Sequence, residues 1–287
     1  MSTIKLSAPA KNFMLGEYAV LENGSALLFT HEPHFTLLAN ENTPLLIGIH
    51  PHSPAGRFYQ QHFDLFSRYQ LHFIDPYHGI GGMGASSAQF ILLFTLYYHL
   101  KKQPFSLEAL LQTYHPLAWS GQGYPPSGAD LVAQSIGGFI AWHPQEKTIT
   151  QLTWPFETLS FHFVHTRHKV KTHEHLHTLQ MNFSVNTLNA VTEQALNALK
   201  NTDSIQFCNA INSYASLLAE YQLVTDHTLA LLQSLQTQHY VKAAKGCGAL
   251  GADVLFIITE KSAAPALHAW INTHHLQYLC SQDKALT

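Results

Sequence analysis

Charge is scarce in this chain. Only 11% of its 287 residues are Asp, Glu, Lys or Arg, against about 25% in ordinary soluble proteins. A long disordered tail, which is rich in charge and poor in aromatics, is not expected. Basic residues are few as well: 15 Lys and Arg stand against 18 Asp and Glu, a net charge of -3. No basic stripe runs along the sequence, which argues against a nucleic-acid binder. Cysteine is nearly absent. Cys208, Cys247 and Cys280 are the three, and no C-x-x-C pair exists, so neither a zinc knuckle nor a disulfide framework can be built. A reducing cytoplasm fits that usage. Long hydrophobic runs are missing too. The most apolar stretch, Phe90 to Tyr98, is ended by His99 and Lys101, well short of the ~20 residues a membrane span needs. Met1 to Phe13 has no apolar stretch of secretory length. A soluble cytoplasmic protein without membrane or nucleic-acid partners is expected.

What is present is a large apolar fraction, 46%, with a polar surface supplied by Ser, Thr, Asn, Gln and 21 His. The length suits one large or two modest domains with a substantial core. Ile4 to Ser7 and Asn12 to Leu15 read as short strands around Ala8-Pro-Ala-Lys. Ser25 to Leu38 reads as extended, and Tyr69 to Ile74 alternates like a strand. After a glycine-rich turn, Ala85 to Lys102 reads as a helix, apolar nearly all round and therefore buried. Leu107 to Tyr114 and Ser127 to Ser135 are further helices, and Phe139 to Trp142 is a strand. The composition shifts near 150–158. Leu159 to Val164 is a strand, followed by helical patterns at about 172–200, 204–222 and 225–238. A second glycine-rich turn leads into a strand from Asp253, with a helix near 263–273 and a strand at 276–280. The pattern is α+β, with strands first and helices collected later.

Gly79-x-Gly81-x-x-Gly84 and Gly246-x-Gly248-x-x-Gly251 both match the dinucleotide fingerprint formally. That fingerprint needs a strand, the glycines, a helix and a second strand within one compact unit. The first turn is followed by helix upon helix and the second by a strand, so the reading fails twice. Protein-kinase elements are absent, and no Gly-Lys dipeptide exists to complete a Walker-type loop. What survives is physical. Gly79 to Gly84 allows close backbone approach, and Ala85, Ser86 and Ser87 open a helix whose free N–H groups suit a phosphate. The hydroxyls of Ser86 and Ser87 suit Mg²⁺ or a phosphate oxygen; a plain turn with Ser capping the helix is the competing reading. In Ser127-Gly-Ala-Asp130 the acid can simply complete a helix cap. Lys11 and Glu17, on adjacent strand-like pieces, are expected to form a structural ion pair. His165, His168, His173, His175 and His177 cluster in sequence. His173 and His177 stand at a metal-compatible i, i+4 spacing, yet a solvated polar face is the better reading.

Taken in order, these segments resemble the GHMP kinase family of galactokinase, homoserine kinase, mevalonate kinase and phosphomevalonate kinase. Ala8 to Leu21 resembles the first motif, Gly82 to Ser87 the Gly-Leu-Gly-Ser-Ser-Ala phosphate loop, Ser127 to Asp130 the Ser-Gly-x-Asp segment, and Lys245 to Asp253 the third motif. Gly16-Glu-Tyr-Ala-Val is most similar to the mevalonate-pathway kinases, and Thr166 to Thr172 resembles a Thr- and Lys-bearing stretch of those enzymes.

The resemblance implies a two-domain GHMP kinase fold. Residues 1–157 would form a ribosomal-protein-like α/β domain that binds ATP, and 158–287 a ferredoxin-like α/β sandwich. It implies an ATP-dependent kinase acting on mevalonate or phosphomevalonate. A sugar or homoserine acceptor, or a catalytically silent ligand-binding protein, stands as the alternative. Asp130 would take the proton of the attacking hydroxyl, and Lys11 would offset charge near Asp130 and the transferring group. Gly79, Gly81, Gly82, Gly84, Ala85, Ser86 and Ser87 would hold ATP, with Ser86 also on Mg²⁺. Glu17, Ser127, Gly128, Gly246 and Gly248 would lie at the acceptor, between the halves. A small molecule is the expected partner, and a homodimer is left open. The chain departs from the pattern at Ala10 and Leu250, where glycine is usual, and at Ala85, where a serine is usual. It also has no acid near Trp119, where mevalonate kinases carry a metal-binding Glu; Glu108 is the only acid between Ser86 and Asp130.

Overall fold

The structure is a computed structural model that describes residues 3–168 and 183–282. The chain forms two compact units. One comprises Met1–Lys11, Thr30–Gly79 and Met83–Gly137, the other Asn12–Phe29, Ile80–Gly82 and Gly138–Thr287. Two long strands, β1 (Thr3–Leu15) and β2 (Ala26–Glu41), pair with each other and contribute residues to both. The sequence pattern predicts two short strands where β1 is continuous. Its residues alternate between exposed and half-buried up to Ser7, and Ala8 to Asn12 are then all buried. The period-2 signal therefore ends where the strand does not.

In the first unit, β3 (Leu45–Ile47), α1 (Pro54–Gln61), α2 (Phe63–Phe66) and β4 (Tyr69–Ile74) follow β2. Residues 36–41 of β2 pair antiparallel with β4, and β3 adds to β4 in parallel. Leu71 and Phe73 of β4 point inward while His72 and Ile74 point out, the alternation expected of a half-buried strand. α3 (Ala85–Lys101) runs as the sequence predicts. Its Phe90 and Phe94 rings lie 5.5 and 5.7 Å from Phe58 of α1. Burial of side chains of this size contributes ~1.5–3 kcal/mol each, which explains a helix apolar on every side. α4 (Leu107–Ala118) starts at Ser106, whose hydroxyl accepts from Ala109 N at 3.1 Å. It runs four residues past the expected end at Tyr114, through Pro116. α5 (Ala129–Ile136) completes the unit and stops at Gly137.

In the second unit, Ala26–Phe29 of β2 pair antiparallel with β5 (Phe139–His143), which forms a ladder with β6 (Thr148–Leu152). Next come β7 (Leu159–His165), α6 (Val185–Lys200), α7 (Ser204–Glu220), α8 (Asp226–Gln236), β8 (Val241–Cys247), β9 (Val254–Glu260), α9 (Ala264–Thr273) and β10 (Gln277–Ser281). A second sheet has the order β10-β7-β9-β8, antiparallel throughout. Its core includes Val164, Leu255 and Ile257 from the strands and Leu231, Leu235, Leu267 and Trp270 from α8 and α9. The expected helix over 172–200 is present from Val185; residues 172–182 lie outside the described residues. Gly246 and Cys247, read from sequence as part of a turn, belong to β8. They pair with Leu255 and Val254, and the turn proper is shorter. The short elements α2, β3 and β6 carry too few residues for a periodic signal. Among the described residues no helix is long and apolar enough to cross a membrane.

Candidate active site

The first glycine-rich turn ends at Gly84, the N-cap of α3, with φ 83 and ψ 28. L-residues avoid this left-handed conformation, so glycine suits it. A side chain would also collide: a Cβ on Gly84 would lie 3.0 Å from Gln134 Nε2 and 3.1 Å from Lys11 Cγ and Cε. No side chain caps α3. Its first N–H groups are therefore open to an anion, and the helix dipole adds to the attraction. The two serines of the first turn diverge. Ser86 is exposed. Ser87 is buried, and its hydroxyl lies 2.9 Å from Gly84 O and 2.5 Å from Gln134 Oε1, its one hydrogen going to the nearer acceptor. At the other end of the glycine segment, Asp75 accepts from Tyr77 N and Gly79 N, both at 2.8 Å, and the space beside Gly79 is open.

Strand β1 brings Lys11 alongside this turn, where Lys11 N donates to Met83 O at 3.1 Å. Its stem is buried and passes Gly84. Its Nζ reaches Asp130 Oδ1 at 2.9 Å, with side-chain exposures of 9% for Lys11 and 38% for Asp130. Lys11 is thus held in the protein while Asp130 remains accessible. Asp130 sits in the first turn of α5, where the positive end of the helix favours a carboxylate. It does not cap the helix. Gly128 is the N-cap, with φ 75, and the Ser127 hydroxyl accepts from Ala129 N at 3.3 Å. Tyr114 faces this acid; burial first and the Asp130 charge second hold its phenol protonated, well above the usual tyrosine value.

The expected ion pair between Lys11 and Glu17 is not formed. Lys11 turns to Asp130, and Glu17 belongs to the second unit, where its Oε1 accepts from Lys245 Nζ at 2.5 Å. The reason is that β1 ends at Leu15 and the chain turns at Gly16, φ 92, so Glu17 lies beyond the strand and does not share the face that a six-residue separation within one strand would give. The Glu17–Lys245 pair is sealed from solvent, with side-chain exposures of 6% and 0%. The Lys245 ammonium also reaches Cys247 Sγ at 3.5 Å and stands 5.7 Å from the Tyr214 ring centre. Burial alone would drive the Lys245 ammonium down. The Cys247 sulfur and the Glu17 carboxylate outweigh it and set the group above the ordinary lysine value. Burial pushes the Cys247 thiol up to about 11, so it is neutral near pH 7.

Lys245 leads into the second glycine-rich turn. Gly248 has φ 86, and Leu250, where the resemblance expects glycine, adopts the left-handed region at φ 51. Leu250 is held there by two hydrogen bonds: its N–H donates to Tyr18 Oη at 3.1 Å, and its carbonyl accepts from Thr225 N at 3.0 Å. Asp253 closes the turn and is buried. A Cβ on Gly82 would lie 2.8 Å from Asp253 Cβ, and one on Gly248 would lie 2.8 Å from Asp253 Oδ2. These glycines therefore allow backbone to lie directly against this acid. Thr166 is tied to the same corner, its N–H donating to Asp253 O at 3.0 Å and its hydroxyl bonding Ala252 O.

The residues of the first unit suit a nucleotide triphosphate: an uncapped N-terminus on a 17-residue helix, a glycine that admits close approach, and a fixed ammonium. Toward Mg²⁺ the donor set is sparse. Glu108 is exposed on the first turn of α4, where it accepts from Gln112 Nε2 at 3.3 Å. Trp119 donates its indole N–H to Gln122 O. Among the described residues no group of three or more His, Cys, Asp and Glu gathers to hold a metal. His165 is buried and accepts from Arg167 N at 2.9 Å; His168 and Arg167 are exposed. Lys169, Lys171, His173, His175 and His177 lie outside the described residues. Two residues escaped the sequence reading as site components. Gln134 has no motif, its only signal being the i+4 spacing from Asp130. Lys245 was visible only as the residue before a glycine.

No family model matches the sequence, and no curated protein matches it. Solved structures do match, over the whole chain. The mevalonate kinase of Methanococcus jannaschii is 13% identical, with a TM-score of 0.76, covering 100% of this chain and 99% of that one. The Streptococcus pneumoniae phosphomevalonate kinase, in complex with phosphomevalonate and AMPPNP, is 14% identical with a TM-score of 0.78, covering 98% and 99%. Lactococcus lactis galactokinase complexed with galactose is 10% identical with a TM-score of 0.77, covering 99% and 94%. The chain therefore has the two-sheet α+β fold of the GHMP kinases, as the motifs led one to expect. Among these neighbours the mevalonate-pathway kinases predominate.

Proposed function

We propose that this protein is an ATP-dependent phosphotransferase of the mevalonate-pathway kind, phosphorylating mevalonate or phosphomevalonate. The observation that carries the reading is the Lys11–Asp130 pair, 2.9 Å apart, with the Lys11 stem lying against Gly84 at the open N-terminus of α3. Phosphoryl transfer asks a protein mostly for positioning and charge stabilisation, and this constellation supplies both. The first N–H groups of α3 hold the nucleotide phosphates. Asp130, accessible and acidic, accepts the proton of the acceptor hydroxyl. Lys11, fixed by its buried stem, stabilises charge at the carboxylate and on the transferring group. Ser86 is the residue of this chain that would hold Mg²⁺, which would offset charge on the β- and γ-phosphates; nucleotide oxygens and water fit the remaining positions, since Mg²⁺ keeps several waters readily. Glu17 acts through Lys245, holding the second glycine-rich turn. Ser127 and Gly128 shape the backbone leading to Asp130, and Gly246 and Gly248 shape the backbone of the second glycine-rich turn. In this reading, residues 1–157 carry the ATP-binding function and 158–287 the second domain.

An anionic acceptor is favoured over a neutral sugar. Support comes from the Gly16-Glu-Tyr-Ala-Val motif, from exposed Arg167, and from the complex of the Streptococcus enzyme with phosphomevalonate. The deciding experiment is ADP release with mevalonate, phosphomevalonate, galactose and homoserine in turn. Fastest turnover with mevalonate or phosphomevalonate is expected. Faster turnover of galactose or homoserine would move the protein to the alternative acceptor, and none with any of the four would favour a silent ligand binder.

A further inference from the structure

We propose that Gln134 is a positioning residue of the phosphotransfer site, the clamp that fixes the glycine-rich turn against Lys11 and Asp130; this rests on the nucleotide-binding reading of that turn. The Gln134 side chain is buried, 4% exposed. Its amide nitrogen donates to Pro9 O at 2.7 Å and to Gly84 O at 3.2 Å, and its amide oxygen accepts from the Ser87 hydroxyl at 2.5 Å. The orientation of the amide follows from its partners. Two carbonyls can be satisfied only by the NH₂ end, and the hydroxyl serves the oxygen. Both amide N–H donors are thereby used, and the oxygen has a hydroxyl donor.

Each partner belongs to a different part of the machinery. Pro9 lies two residues before Lys11 on β1. Gly84 is the left-handed cap from which the open N–H groups of α3 begin, and Ser87 is in the first turn of α3. Gln134 itself stands one helical turn after Asp130 on α5, so the base and the clamp share a rigid segment. Gly84 packs against both Gln134 Nε2 and the Lys11 stem. One side chain thus sets the position of the ammonium, the carboxylate and the phosphate cradle relative to each other. An apolar residue at this position would fill the same space but take this donor from Pro9 O and leave Gly84 O only its bonds from Ala88 N and the Ser87 hydroxyl. Choosing a buried amide, which costs ~1–3 kcal/mol wherever it is left unsatisfied, makes sense where geometry rather than mere packing is needed. Errors of about 1 Å in such placements cost up to ~10²-fold in rate.

Three variants test this. Gln134→Met keeps the volume and removes all three bonds. Gln134→Glu keeps the shape but loses the donors when ionised and regains one when protonated. Ser87→Ala removes only the bond to Oε1. Each is examined by cooperative melting, by calorimetric titration with ATP and Mg²⁺ in the absence of acceptor, and by kcat against pH. Wild type is expected to bind ATP. Gln134→Met should melt cooperatively yet bind ATP ~10-fold more weakly and turn over ~10-fold more slowly. Gln134→Glu should regain rate relative to wild type as pH falls, a readout that a purely structural role would not move. If Gln134→Met fails to fold, Ser87→Ala should still weaken ATP a few-fold and the Gln134→Glu pH profile still decides. Variants that lose stability while ATP affinity and kcat stay within twofold of wild type, with no pH-dependent recovery, would overturn the proposal alone. Wild type that binds no ATP would overturn the nucleotide reading and the clamp with it.

Discussion

Replacing Lys245 by methionine removes one partner of an ion pair that is closed to water. Lys245 is fully buried, Glu17 Oε1 accepts its hydrogen bond at 2.5 Å, and Glu17 Oε2 has no hydrogen-bond partner among the described residues. The variant therefore strands a carboxylate in an apolar site. Breaking a buried pair in this way costs ~3–5 kcal/mol, whereas replacing both charges together is close to neutral. At about 2–4 °C per kcal/mol for chains approaching this size, Lys245→Met should melt roughly 6–20 °C lower. The double variant Glu17→Gln/Lys245→Met should recover most of that loss. Tryptophan fluorescence follows the unit concerned, because Trp142, Trp154 and Trp270 belong to it. The pH dependence has a fixed sign. The folded-state pKa of Lys245 is raised, so its contribution is fully present below the ordinary lysine value of about 10.4 and is lost as pH rises through the higher folded value. The gap between wild type and Lys245→Met should be constant from pH 7 to 9 and narrow only in stronger alkali. A loss below about 1 kcal/mol, or a double variant as unstable as the sum of the singles, would refute the claim that the charges depend on each other.

Asp130→Asn should lower kcat by at least ~10²-fold with little change in ATP affinity, since the amide cannot accept the acceptor's proton; near-normal turnover would reduce Asp130 to a structural partner of Lys11. Gly84→Ala should weaken ATP binding and also lower the melting temperature. The left-handed conformation costs a non-glycine residue ~1–2 kcal/mol, and the new methyl meets Gln134 and Lys11; unchanged calorimetry would show the turn is not the phosphate cradle. Ser86→Ala should raise the Mg²⁺ concentration needed for half-maximal ATP binding, and Glu108→Gln should not; the reverse result would place the metal elsewhere. His31 is buried, and burial holds its imidazole down to about 4. The unfolded chain takes up that proton near 6.5 while the folded one does not, so stability falls by about 3 kcal/mol as pH drops from 6.5 to 4. His31→Gln should flatten that slope in denaturant midpoints measured across the window.

Local pattern is enough to place the elements whose apolar residues repeat with a period, and the positions where backbone must be glycine. α3 and the strands β4, β7 and β9 follow from local pattern, and Gly84 follows from the need for a left-handed cap. Motif order pointed to the fold because each motif is a contiguous stretch whose chemistry is local. Tertiary structure alone decided partnership. Lys11 stands six residues from Glu17 yet pairs with Asp130, and Glu17 finds Lys245 at a separation of 228 residues. Gln134 reaches Pro9 across 125 residues. Of the two adjacent serines, the helical turn of about 100° per residue sends Ser86 to solvent and Ser87 inward. A one-dimensional pattern records which residues can bear charge or donate a proton. Which of them meet is fixed by how the strands register and the helices pack, and long-range packing leaves no periodic trace in the residues it joins.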